Sequence, residues 1–277
     1  MLGKHVIADM HTHCEYSHDS VCKMEDMCLA QIEKGTSIFA VTDHFDTAYY
    51  SMKDVFSPIK TSNQNARELR KKYGDKIDIL AGVEIGESFW YPEQRDKVMQ
   101  LCDYDVIIGS VHLVKYKELT CATSRIEFSN LEKKTTEEYV DAYFDDMLTM
   151  IDTLDFDILA HLTLPLRYIN GKHKCGIDLK PYEKKIDVIL GKIIEKGISL
   201  EVNTSSYEML GQFMPDEDVL KRYYDKGGRY ITVGSDAHRS EHASRHLEEA
   251  IELIRKIGFK DIYYYKNRKP HAISIEK

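Results

Sequence analysis

The chain has 277 residues, is 43% hydrophobic and carries a formal net charge of −8. That length buries a sizeable core, as one α/β barrel or two small domains, while the acidic balance lacks the broad positive surface of a non-specific nucleic-acid binder. No stretch reaches the roughly 18 apolar residues of a membrane span, and the N-terminus turns polar too early for a signal peptide, so the expectation is a soluble cytoplasmic protein with neither membrane nor nucleic acid as partner.

In chain order, the first apolar, β-branched run covers 5–10 and is followed by an amphipathic helical pattern at 23–34. A second run at 38–42 precedes a helical stretch at 64–72. Strand-like runs come next at 77–83 and 106–111, then a helix at 137–153, a run at 156–160, a helix at 182–196, a run at 198–202, a helix at 216–226 and a run at 230–234. The chain ends as a helix over 243–256, a tyrosine-rich strand near 262–265 and a tail, 266–277, laid on the outside. This alternation argues for a mostly parallel sheet covered by helices, and nearly continuous apolar strands fit a sheet buried on both faces. About seven units point to a closed or nearly closed barrel, although an open doubly wound sheet satisfies the same pattern. No repeat, low-complexity tract or linker marks a boundary, so residues 1–277 read as one domain. The six cysteines form no C-x-x-C pair and read as small buried or idle side chains.

The residues at the end of each strand carry the chemistry. After the first comes Asp9-Met10-His11-Thr12-His13, after the second Thr42-Asp43-His44, and the third ends at Glu84. The fourth ends in Gly109-Ser110-Val111-His112, the fifth at His161, the sixth in Glu201-Val202-Asn203 and the seventh in Gly234-Ser235-Asp236-Ala237-His238. In a parallel α/β barrel these ends open onto one face, where active sites sit. A lone strand-end histidine is most often a hydrogen-bonded structural residue. Chance does not readily place His, Asp or Glu at nearly every strand end. His11, His13, His18, His44, Glu84, His112, His161, Asp236 and His238 therefore read together as metal ligands. Nitrogen and oxygen donors without thiolate suit zinc, manganese or iron. Nine such residues exceed one tetrahedral ion and suit two or three. Two ions about 3.5–4 Å apart form the clamp used in phosphoryl displacement, with a bridging hydroxide as nucleophile. His5, His173, His242, His246 and His271 fall off the pattern and read as structural or solvent-facing.

These pieces, with Ala160-His161 and Glu201-Val202-Asn203-Thr204, resemble the PHP (polymerase and histidinol phosphatase) family across almost the whole chain. The resemblance implies a distorted (β/α)7 barrel over residues 1–277 and a trinuclear metal site. It implies one ion on His11, His13, Glu84 and Asp236, a second on His112 and His161 with Glu84 bridging, and a third on His18, His44 and His238. The runs Ser110-Val111-His112-Leu113 and Gly234–Arg239 look most like the histidinol-phosphate phosphatase branch, whose members hydrolyse L-histidinol phosphate in histidine biosynthesis. One run departs from that branch. After Asn203-Thr204 the chain reads Ser205-Ser206-Tyr207-Glu208-Met209, without the arginine often found there.

A small phosphorylated substrate calls for an arginine fork. Arg167, after the fifth strand, is the first candidate, with Arg125 in the loop after His112 and Arg239 beside His238. Asp43 is placed to orient a ligand or relay a proton, and Asp236 and His238 are further catalytic candidates. Glu201 and Asn203 read as supports behind the ligands. The competing functions are another small phosphoester, such as a nucleotide or sugar phosphate, a non-catalytic metal-binding module and an amidohydrolase-type enzyme acting at carbon.

Overall fold

The computed structural model describes residues 6–47 and 54–276. His5 and Lys277 lie outside them. The strands are β1 (Ala8–Thr12), β2 (Ile38–Val41), β3 (His44–Asp46), β4 (Asp78–Gly86), β5 (Val106–Ser110), β6 (Ile158–Leu159), β7 (Ser199–Asn203) and β8 (Ile231–Gly234). All their pairings are parallel, in the order β1-β2-β4-β5-β6-β7-β8. β2 and β3 share β4 as partner and form one stave broken at Thr42-Asp43. Seven staves result, and the doubly wound alternative falls away because the first and last meet. Asp236 N–H donates to His11 O at 2.8 Å and His13 N–H to Ala237 O at 2.8 Å. Asp9 completes the seam by accepting from Ser235 N at 2.8 Å and from Ser235 Oγ at 2.5 Å. The barrel is nearly closed, with side chains replacing part of a ladder.

Helices α1 (Met24–Glu33), α2 (Phe56–Tyr73), α3 (Pro92–Met99), α4 (Lys133–Thr153), the short α5 (Leu164–Leu166), α6 (Glu183–Lys196), α7 (Tyr207–Leu210), α8 (Glu217–Asp225) and α9 (Leu247–Ile257) complete the fold. On α4 the buried residues Thr136, Tyr139, Val140, Tyr143, Phe144, Met147, Met150 and Ile151 recur at three- and four-residue steps, one apolar stripe against the barrel. α6 stops at Gly197, whose φ of 68° is the left-handed cap a side chain resists. The strands β1, β2, β5, β7 and β8 are buried at every position, as a doubly covered sheet requires.

Several boundaries move. β1 begins at Ala8 because its partner begins at Ile38, the residue in register with it, and it extends far enough to include His11. α2 begins eight residues before the apolar pattern, where Asp54 Oδ1 accepts from Phe56 N at 3.0 Å and Ser57 N at 3.1 Å. Pro58 falls in the first turn, where no N–H is needed. β6 pairs over two residues only, since the chain turns at His161 with φ of 25°. The tail forms a hairpin, β9 (Asp261–Lys266) with β10 (Lys269–Ser274), around Asn267 and Arg268 at φ of 52° and 60°. It seats at the N-terminal ends of the strands, where Arg268 Nε donates to Asp157 and Asn267 N–H to Asp105. All six cysteines are free thiols, and Cys121 is exposed.

Candidate metal centre

Glu84, near the end of β4, is the hub. Its side chain is fully buried, and the β3–β4 register sets His44 beside it. Oε2 faces His44 Nδ1 at 2.8 Å, His11 Nε2 at 3.3 Å and His13 Nε2 at 3.5 Å. Oε1 faces His161 Nε2 at 3.0 Å and His112 Nε2 at 3.2 Å. Asp236 Oδ1 approaches His13 Nε2 at 3.4 Å and His11 Nε2 at 3.9 Å. His44 Nε2 and His238 Nε2 stand 3.4 Å apart. Donor atoms thus converge in four overlapping groups: His11 with His13 and Asp236, Glu84 with His112 and His161, His13 with His44 and His238, and His44 with Asp46 and His112.

Whether these are structural histidines or cation ligands is decided by what holds their other nitrogens. His11 Nδ1 pairs with Glu201 Oε1 at 2.7 Å. His13 Nδ1 pairs with Ser17 Oγ at 3.1 Å, and that hydroxyl already donates to Asp43 Oδ1 at 2.7 Å, so it accepts from the imidazole. His112 Nδ1 meets Asp46 Oδ1 at 3.1 Å and His238 Nδ1 meets Asp236 O at 3.0 Å. Each arrangement occupies Nδ1 with a protein partner and turns Nε2 inward. There, His11 Nε2, His13 Nε2 and Glu84 Oε2 are buried without a hydrogen-bond partner. A satisfied core histidine does not leave such atoms. Inward imidazole nitrogens facing carboxylate oxygens fit divalent cations, and the imidazole–carboxylate set suits zinc, manganese or iron.

Charge in the cluster is set by packing. Burial holds the His13 imidazole well below its usual range, helped by His44 and His238. Burial pushes His11 down as well, but the charges of Glu201, Glu84 and Asp236 outweigh it and hold that ring well above. Burial raises Glu84, yet the facing His112, His11 and His44 keep it well below the usual carboxylate range. Backbone strain collects here too, with φ of 25° at His161 and 51° at Asp236. Gly234 has no room for a side chain, because a methyl group there would strike Glu201 Oε1 and His11 Cβ.

Each sequence-predicted residue has a definite place. The nine expected ligands gather at one end of the barrel, His18 the most exposed of them, with its side chain 45% accessible and its ring 5.2 Å from His44. An open cleft leads to the cluster. Arg167 lies on its wall, with NH1 donating to Ser205 Oγ at 2.9 Å and standing 3.8 Å from Asp236 Oδ2. Ser205 belongs to the run that lacks an arginine, so Arg167 reaches that loop from the next stave. Arg125 and Arg239 are exposed and do not line the cleft, because both sit on loop segments turned to solvent. Asp43 is buried behind the cluster, where Cys14 N, Ser17 Oγ and Ser62 Oγ all donate to it. It touches Ser17 rather than the cleft. Glu201 Oε2 accepts from His161 N at 2.8 Å and Asn203 Nδ2 at 3.1 Å while Oε1 holds His11 Nδ1, so one carboxylate orients two expected ligands, His11 and His161.

Sequence reasoning missed three acidic residues on the cleft wall, Asp19, Asp46 and Glu87. Asp19 reaches His238 Nε2 at 3.2 Å and His44 Nε2 at 3.6 Å. Its one signal is adjacency to His18. Asp46 lies on β3, too short to show a period, and Glu87 lies beyond its strand. Trp90 stacks under Lys115, 3.8 Å from the ring centre, and among the described residues Tyr168 lines the cleft wall.

The chain has counterparts among known proteins. A family model described as PHP domain matches residues 9–205. A probable histidinol-phosphatase of Clostridium acetobutylicum is 27% identical, over 96% of this chain and 100% of that protein. One from Thermotoga maritima is 29% identical, over 91% and 92%. The crystal structure of histidinol phosphate phosphatase from Lactococcus lactis, complexed with zinc, L-histidinol and phosphate, superposes with a TM-score of 0.78 at 22% identity, covering 96% of this chain and 98% of that one. This last likeness establishes the barrel.

Proposed function

The chain belongs to the PHP domain family, and on that premise we propose that it is a metal-dependent phosphomonoesterase that converts L-histidinol phosphate to L-histidinol and phosphate. The observation that carries the reading is the buried hub of Glu84, with the unpartnered His11 Nε2, His13 Nε2 and Glu84 Oε2 turned inward beneath a cleft that carries Arg167. The substrate is that of the histidinol-phosphatase relatives from Clostridium acetobutylicum and Thermotoga maritima.

His11, His13, Glu84 and Asp236 would hold one ion, His112 and His161 with Glu84 a second, and His44, His238 and His18 a third. When bound, divalent ions supply Lewis-acid charge and a deprotonated water nucleophile at neutral pH. The chain's own residues fix everything else. Glu201 locks the ring of His11 and the backbone of His161. Asp43 acts on His13 through Ser17. Arg167 leaves Ser205 to fork two phosphoryl oxygens, which matters because phosphate monoesters are among the slowest bonds to hydrolyse unaided. The absence of an arginine across Ser205–Met209 keeps a second reading, another small phosphomonoester, in competition.

The test is steady-state phosphate release by the metal-loaded protein from L-histidinol phosphate beside nucleotide and sugar phosphates, with His13→Ala as control. L-Histidinol phosphate is expected to lead in kcat/KM, and the variant to lose roughly 10³-fold or more together with bound metal. A nucleotide or sugar phosphate in the lead overturns the substrate. Unchanged turnover in His13→Ala overturns the site.

A further inference from the structure

Glu87 lies three residues beyond Glu84, and nothing in the proposed chemistry uses it. It is 1% exposed and forms part of the cleft wall. Its Oε1 accepts two backbone hydrogen bonds, from His112 N at 2.6 Å and Leu113 N at 2.9 Å. Its Oε2 has no partner. Asp46 is buried on the same wall, with Oδ1 against His112 Nδ1. Among the described residues, the ion pairs of Asp46 are all to histidines, and Glu87 forms none. A buried carboxylate with an unmatched oxygen is costly unless a cation or a donor meets it. The one arginine on the cleft wall, Arg167, comes from the loop after β6 and points to Ser205 and Asp236 instead. The cleft therefore carries a guanidinium where a phosphoryl group is read to sit and, beside Leu113, a buried carboxyl group with one oxygen that only a donor or cation from the cleft side would match.

We propose that Glu87, backed by Asp46, is the subsite for a cationic group on the alcohol portion of the substrate, an ammonium a few bonds from the ester oxygen. This rests on the phosphomonoesterase reading and deepens it: the enzyme selects aminoalkyl phosphates over uncharged ones. Glu87 also braces the His112–Leu113 backbone. Glu87→Gln separates the two roles, because the amide oxygen still accepts both N–H groups while the charge is gone.

The experiment measures kcat/KM of the zinc-loaded full chain and of Glu87→Gln on L-histidinol phosphate, phosphoethanolamine and glycerol phosphate, with calorimetric binding of L-histidinol to both proteins. The unmodified chain is expected to favour the two cationic esters. Glu87→Gln is expected to cut the cationic-to-uncharged ratio by roughly 10-fold or more, chiefly through KM, and to weaken L-histidinol binding by a similar factor. A ratio and an affinity that stay within about 2-fold in the variant, whatever the absolute rates, make Glu87 a brace and overturn the subsite. So does an unmodified chain indifferent to charge, or one that turns over nothing and does not bind L-histidinol. Preference for phosphoethanolamine over L-histidinol phosphate sinks the proposed substrate and leaves the subsite standing.

Discussion

The two ends of the barrel are made from the same kinds of side chain and settle their charges in opposite ways. At the N-terminal ends of the strands, Asp105 accepts from Arg70 NH2 at 2.9 Å, Ala81 N at 3.0 Å and Asn267 N at 3.1 Å. Asp157 accepts from Arg268 Nε and Ile107 N, both at 2.8 Å. Each carboxylate finds a guanidinium and backbone donors within the chain. At the C-terminal ends, Glu84 and Asp236 face a ring of imidazoles, several with a buried nitrogen that nothing satisfies. One end is electrostatically complete as folded. The other is arranged for charge supplied from outside.

The largest effect that can break this contrast is removal of metal. Chelation is expected to lower stability by about 4 kcal/mol relative to protein held at about 1,000 times the ion's Kd, on the order of 10 °C in Tm, with zinc restoring it. A Tm indifferent to chelator and zinc would show the upper end to be as self-sufficient as the lower. Next comes Arg268→Ala, which strips Asp157 of its cation. Asp157 is 7% exposed but Arg268 is 28% exposed, so the expected loss is about 2 kcal/mol in chemical denaturation. Phosphatase kcat/KM is expected to hold, and a parallel loss of activity would mean that the two ends are not independent. The smallest effect is at Asp146 on α4, which belongs to neither end. Burial, then the neighbouring Asp145, pushes its carboxyl up to about 6 from 3.8. The folded state thus favours the protonated form, so the penalty is absent below about pH 4 and complete above about pH 6. Asp146→Asn is expected to gain about 1 kcal/mol at pH 7, discounted for partial exposure, and to gain nothing at pH 4. A gain that is the same at both pH values would remove charge from the explanation.

The staves were legible because each is short, apolar and capped by a titratable residue, and the barrel brings those residues together whatever the exact strand limits. That is why His11, His44, His112 and His238 could be read without knowing that β1 starts at Ala8 or that β6 is two residues long. The parts that stayed hidden have local causes. Asp46 sits on a three-residue strand, and Glu87 owes its burial to backbone donors at His112 and Leu113 that no pattern announces. Arg125, Arg167 and Arg239 look alike as loop arginines. Only the helical turn after His161 distinguishes Arg167 by carrying it onto the cleft wall.

The seam between β1 and β8 bears on how the protein is made. Asp9 and Ser235, which lock it, are 226 residues apart in sequence. His11 and His13 are synthesised long before Asp236 and His238, which lie on the opposite side of the seam. The two halves of this cluster therefore stay apart until β8 docks on β1. Contacts of such long sequence separation form late, so the group of His11, His13 and Asp236 is assembled only as the barrel closes.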